Sequence, residues 1–114
     1  MDIQGVRPKR GEVWWVNFNP ARGTEVQKNR PAVVVSTDAS NKYLSRLQVV
    51  PLTSNTSRVY TSECLLTVLS QESKAMADQI RTVSLARFGK KIETLEKRHM
   101  SKIEHIIKIQ LGLE

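Results

Sequence analysis

A proline followed by an alanine and three valines, Pro31-Ala32-Val33-Val34-Val35, constrains this chain more than any other stretch. An unbroken apolar run of this length, rich in β-branched residues, fits a strand covered on both faces. A doubly covered strand needs a sheet that curls, or a second layer packed against it. The chain has 114 residues to build that cover. One domain typically takes roughly 100–150, so a single core is expected. Hydrophobic residues at 39% and charged residues at 25% are enough for that core without staples.

The other apolar segments also read as short strands. Trp14, Val16 and Phe18 alternate with Val13, Trp15 and Asn17, which predicts a strand over Gly11–Phe18. Asn19-Pro20-Ala21-Arg22-Gly23-Thr24 ends it with turn residues. A further strand is predicted over Leu47–Thr53. Pro51 cannot donate to a ladder, so that end is expected at an edge or a bulge. Strands are also expected over Thr61–Val68 and Ala75–Val83, with a short one at Lys91–Thr94 and one helical turn at Asp38-Ala39-Ser40-Asn41. Near the C-terminus the period changes. Met100, Ile103, Ile107 and Leu111, with Ile106 beside them, predict an amphipathic helix that Gly112 ends. The expected fold is mainly β with a C-terminal helix: a small, mostly antiparallel barrel or strongly coiled sheet.

Charge and cysteine content narrow the function classes. A formal charge of +7 suits a polyanionic partner, because binding phosphates releases condensed counterions. No apolar run approaches the roughly 20 residues of a membrane span. The first residues carry no apolar signal region, so a cytoplasmic location and no membrane partner are expected. One cysteine, Cys64, excludes an internal disulfide and reads as a small core hydrophobe. The two histidines, His99 and His105, lie six residues apart on one helix and hence on different faces. No metal site is expected. Neither G-x-x-x-x-G-K-[ST] nor G-x-G-x-x-G occurs, and no cofactor is expected. The cations around Lys97-Arg98-His99, Lys102 and Lys108 read as the wet side of the helix.

Polar residues at strand ends remain as the candidates for chemistry. Arg30 precedes Pro31 at the mouth of the valine strand, and Thr53-Ser54 follows Pro51. A guanidinium stays charged and donates bidentately to phosphate, so Arg30 is either a phosphate contact or one half of a structural ion pair. Asp78, Gln79, Arg81 and Thr82 lie together in a later strand.

Three ordered blocks carry a resemblance. Arg10-Gly11-Glu12-Val13-Trp14, then Asn19-Pro20, Gly23, Glu25 and Arg30-Pro31-Ala32-Val33-Val34-Val35-Ser36, resemble the opening of the MazF/PemK toxin family. Val50-Pro51-Leu52-Thr53-Ser54-Asn55 and Ala77-Asp78-Gln79-Ile80-Arg81-Thr82-Val83 are similar to its later blocks. The resemblance implies a toxin domain over 10–114 behind a flexible tail over 1–9, with an SH3-like barrel of the CcdB/PemK kind. It implies a homodimer, a cognate acidic antitoxin and a single-stranded mRNA substrate. The implied reaction is metal-independent endonucleolytic cleavage: the 2′-hydroxyl attacks the adjacent phosphate, leaving 2′,3′-cyclic phosphate and 5′-hydroxyl ends. The family's catalytic pair falls on Arg30 and Thr53. Glu25, Gln27, Lys28, Ser54, Asn55, Asp78, Gln79 and Arg81 are the expected RNA-binding residues, within or near the loops Asn19–Asn29 and Ser54–Tyr60.

Two departures accompany the match. Some PemK-type members place a histidine where this chain has Thr24, and an arginine where it has Met76. A His/Arg/Asp trio therefore cannot be assembled, and the chain looks more like the MazF branch. Two other readings share the fold: a CcdB-like gyrase poison, which relies on a tryptophan near its C-terminus, and a catalytically silent RNA-binding barrel. Trp14 and Trp15 both lie near the N-terminus, which disfavours the first.

Overall fold

The computed structural model describes residues 7–113. Strands β1 (Glu12–Asn17), β2 (Asn29–Val34), β3 (Arg46–Thr53), β4 (Glu63–Val68), β5 (Gln71–Met76), β6 (Arg81–Ser84) and β7 (Phe88–Thr94) are accompanied by one helical turn, α1 (Asp38–Asn41), and the C-terminal helix α2 (Lys97–Leu111). The sheet runs β4-β5-β3-β2-β1-β7, with β6 pairing β3 off this path. Every pairing is antiparallel. The sheet curls into a half-barrel, as the sequence led us to expect.

The valine strand is covered on both sides, and each side has its own core. Val33 and Val35 join Val13, Val50, Leu52, Leu66 and Ala75 beneath α2, which contributes Ile103 and Ile106. Ala32 and Val34 join Trp14, Val16, Phe18, Leu47, Val49 and Phe88 on the other face. Strand alternation sends neighbouring residues to opposite cores.

Pro51 departs from the edge position expected of it, since β3 is a central strand. The Val35 N–H donates to the Gln48 carbonyl at 2.9 Å. Alternation of antiparallel pairs then makes Val33/Val50 a hydrogen-bonded pair and Ala32/Pro51 a non-hydrogen-bonded one. The proline nitrogen faces the opposite side. There the pairing passes from β6, ending at Val49, to β5, beginning at Leu52. Proline sits where no ladder bond is needed.

Three more expectations change, and a hairpin the sequence did not announce appears. The single strand predicted over Ala75–Val83 is broken by a 3₁₀ turn at Ala77–Gln79, which carries the chain from one neighbour of β3 to the other. The β4–β5 hairpin turns at Leu69 and Ser70, both with positive φ (49° and 65°), where a two-residue turn normally carries Asn-Gly. The helix buries His99, Ile103 and Ile106, while Leu111 is exposed, so His99 is not on the wet face. Gly112, at φ 68°, ends the helix as predicted. Of the tail expected over 1–9, residues 1–6 lie outside the described residues. Residues 7–9 are held: Pro8 is fully buried, and the Arg7 guanidinium donates to the Asn41 and Leu44 carbonyls at 3.1 and 2.8 Å.

Candidate active site

The β2–β3 ladder ends at Ala32/Pro51. Continued by two residues, the same register sets Arg30 opposite Thr53. A cleft of about 270 Å³ opens there, lined by Trp15, Asn29, Arg30, Pro31, Leu52, Thr53, Ser54, Gln71 and Ser73. Two residues 23 positions apart in sequence thus meet because β2 and β3 pair antiparallel.

Arg30 is anchored at one end only. Its Nε–H donates to the Gln27 carbonyl at 3.0 Å. Among the described residues its terminal nitrogens have no hydrogen-bond partner, and no carboxylate pairs with it. The ion-pair alternative for Arg30 therefore finds no acid. A guanidinium held through Nε presents its outer fork to an incoming anion. The Thr53 hydroxyl oxygen accepts the Asn55 N–H at 3.2 Å, which leaves the hydroxyl proton available to donate. The site is thus a set of donors gathered around a small volume. Among the described residues no three His, Cys, Asp or Glu side chains converge as metal ligands would.

The remaining sequence candidates divide into three groups. Ser54 lines the cleft with the central pair. Glu25, Gln27 and Lys28 lie in the β1–β2 loop that leads into Arg30. Glu25 caps the Arg22 N–H at 2.8 Å, Gln27 supplies the carbonyl that holds Arg30, and Lys28 turns the chain at φ 71°. Asn55 is engaged within its own loop, accepting from the Ser57 hydroxyl at 2.9 Å.

Asp78, Gln79 and Arg81 do not line the cleft. Gln79 holds the β1–β2 loop instead. Its amide oxygen accepts the Val26 N–H at 3.1 Å, and its amide nitrogen donates to the Thr24 carbonyl at 3.4 Å. Arg81 lies over the Phe18 ring, 5.6 Å from its centroid, and Asp78 is exposed.

Trp15, Asn29, Gln71 and Ser73 line the cleft without having been singled out from sequence. Trp15 carried a usable signal. Alternation along β1 puts Trp15 on the opposite face from the buried Trp14, whose indole N–H donates to Glu12 at 2.9 Å, and Trp15 lies beyond the core that covers Val13 on that face, so it stays exposed. Cys64 is half-buried against the core beneath α2, and burial pushes its thiol pKa up, as suits an unreactive packing residue.

A curled antiparallel sheet closed by one helix, with a cationic donor cleft at the fork of two central strands, defines an SH3-like barrel of the PemK/CcdB architecture. The chain belongs to the PemK-like, MazF-like toxins of type II toxin–antitoxin systems, whose family pattern matches residues 9–111. Endoribonuclease MazF9 of Mycobacterium tuberculosis is 39% identical over 114 residues, spanning 92% of this chain and 97% of its own. The endoribonuclease toxin MazF of Escherichia coli (strain K12) is 31% identical over 106 residues, spanning 92% and 95%. Among solved structures, MazF from Deinococcus radiodurans superposes with a TM-score of 0.85 at 26% identity, covering 95% of this chain and 99% of that one. A mycobacterial endoribonuclease in complex with its cognate antitoxin shares the fold, with a TM-score of 0.77 at 24% identity, covering 94% and 97%.

Proposed function

We propose that this chain is an endoribonuclease toxin that cuts single-stranded mRNA in the Arg30–Thr53 cleft without a metal ion. The ribose 2′-oxygen forms a bond to the adjacent phosphorus, and the bond to the departing 5′-oxygen breaks. The products carry a 2′,3′-cyclic phosphate and a 5′-hydroxyl, so the proton lost by the attacking oxygen balances the one gained by the leaving oxygen. Negative charge grows on the non-bridging oxygens along the way. The single observation that carries this reading is the Arg30 guanidinium, fixed at Nε by the Gln27 carbonyl with its outer nitrogens free at the cleft.

Such a preset donor stabilises the pentacoordinate species more than the ground state, and losing one typically costs about 10²–10³ in rate. Thr53 contributes a neutral hydroxyl to the same phosphate or to the 2′-hydroxyl. Among the described residues the cleft lining holds no imidazole and no carboxylate, which supports electrostatic stabilisation as the larger part of the catalysis. The loops Asn19–Asn29 and Ser54–Tyr60 read the bases, which single-stranded RNA can present unstacked.

The biological setting follows from family membership and charge. A +7 chain favours a short acidic antitoxin segment, and the relative solved with its cognate antitoxin supports that pairing. We place the toxin in the cytoplasm, as a homodimer, where mRNA is available. Among the described residues no helix is long and apolar enough to cross a membrane. The test is cleavage of a defined RNA in excess EDTA, with end-group analysis of the products. Continued cutting with cyclic-phosphate and 5′-hydroxyl ends is expected. Loss of activity on chelation, restored by magnesium or zinc, overturns the mechanism.

A further inference from the structure

Lys74 is a charged residue in an unusual place. It stands directly opposite Thr53 on β3 and Leu65 on β4, in the middle of β5, and is only 8% exposed. Residues directly opposite in antiparallel strands project to the same face, so its side chain leaves the sheet beside that of Thr53. The ammonium group donates to the Glu63 carboxylate at 2.9 Å and to the Arg58 backbone carbonyl at 2.7 Å. The same Glu63 oxygen accepts the Tyr60 N–H at 2.9 Å. The Tyr60 ring lies 5.5 Å from the ammonium and is itself largely exposed.

A buried ion pair is weak support for stability, since apolar residues of similar volume often serve as well. What an apolar pair cannot supply is direction. Here three contacts from two charged side chains end on the backbone or ring of one short loop, 54–62, whose other end begins at the cleft residue Ser54. The loop has no secondary structure of its own to fix its course.

We propose that the Lys74–Glu63 pair is a positioning device: it sets the 54–62 loop against the cleft, so that the loop reads the nucleotides beside the scissile phosphate in one conformation. This rests on the endoribonuclease reading above. Neither residue touches substrate in this scheme. They act through Arg58 and Tyr60, by removing loop freedom before RNA arrives, which favours binding.

The test compares the wild-type chain with Lys74→Met/Glu63→Gln. The double variant removes both charges together, leaves no unpaired buried ion, and keeps an acceptor for the Tyr60 N–H. Its melting temperature should stay near wild type and its kcat within about twofold. Its KM should rise roughly tenfold, a loss of ordering without loss of chemistry. Discrimination between a favoured RNA site and its one-base variants should fall. Lys74→Arg, which keeps the charge and the donors, should recover part of that discrimination. A folded double variant with unchanged KM and unchanged discrimination overturns the proposal.

Should the double variant fail to fold, amide exchange in the wild-type chain decides. The Tyr60 amide should exchange at least about tenfold more slowly than that of Thr56 in the same loop. Equal rates overturn the clamp. A wild-type chain that cuts no RNA overturns the endoribonuclease reading instead, and the amide measurement still decides whether the clamp exists.

Discussion

The fork between β2 and β3 and the outer side of α2 are both cationic, yet they use their charge in opposite ways. At the helix several of the charges are engaged locally. Arg98 pairs with Glu96 at 2.9 Å, Arg10 reaches Glu104 at 2.6 Å, and Lys102 donates to the Leu65 carbonyl. At the fork, Arg30 is held by a neutral carbonyl, and among the described residues its outer donors meet no partner. Lysines and arginines at exposed positions are common, and surface ion pairs contribute little. A guanidinium fixed at one end and free at the other, beside a second donor, is what separates a site from a solvated face.

The sharpest way to break that comparison is to remove the fork's cation. Arg30→Ala should lose at least about two orders of magnitude in RNA cleavage while far-UV circular dichroism stays native. Arg30→Lys should recover little, because a point charge cannot reproduce the fork. Near wild-type cleavage by a folded Arg30→Ala protein would show that the active site lies elsewhere. Thr53→Val should cost less, on the order of tenfold, since a neutral hydroxyl makes a weaker hydrogen bond than a charged donor.

The helix should respond in stability rather than in chemistry. Ile103 is fully buried in the core beneath α2, so Ile103→Ala should cost about 2–5 kcal/mol in denaturant unfolding. Cleavage by the protein that remains folded should persist. On the outer side, Arg98→Ala and His105→Ala should cleave at wild-type rates. An inactive but folded His105→Ala protein would point to histidine chemistry that the cleft lining does not contain.

A pH experiment separates stability from catalysis. Burial acts to raise the Glu12 pKa, but hydrogen bonds from the Trp14 indole, the Lys9 N–H and Lys91 outweigh it and hold the carboxyl below its ordinary value of 4.5. The group is therefore more acidic folded than unfolded. Its stabilising contribution is present above about pH 4.5 and is lost as the pH falls through the folded value. Acid unfolding followed by far-UV circular dichroism should flatten below that point in Glu12→Gln. An unchanged acid limb would mean that other carboxylates dominate.

Much of the fold was legible in the residues. The valine run, the alternation over Trp14–Phe18 and the C-terminal change of period each reflect a local rule relating side-chain spacing to burial. The β4–β5 hairpin was not, because Leu69-Ser70 occupies a turn that usually announces itself with Asn-Gly, and the strand behind it carries Glu72, Ser73 and Lys74. Nor was the break at Ala77–Gln79, which exists only because β5 and β6 share β3 as a neighbour. Gln79 shows the same limit within the candidate site. Its place in a family block suggested RNA contact, while in the folded chain its amide is spent on the β1–β2 loop.

Composition, period and turn chemistry alone determined a small, basic, mainly β chain with a helical end, and marked Arg30 and Thr53 as polar residues at strand ends. Those are consequences of each residue's own neighbours. Only the tertiary structure decided that the two line one cleft, that Arg30 meets no acid among the described residues, and that Trp15 rather than Trp14 joins that lining. Pairing register and the direction of a hydrogen bond are properties of strands brought together from distant parts of the chain. No local pattern encodes which donor is left open when they meet.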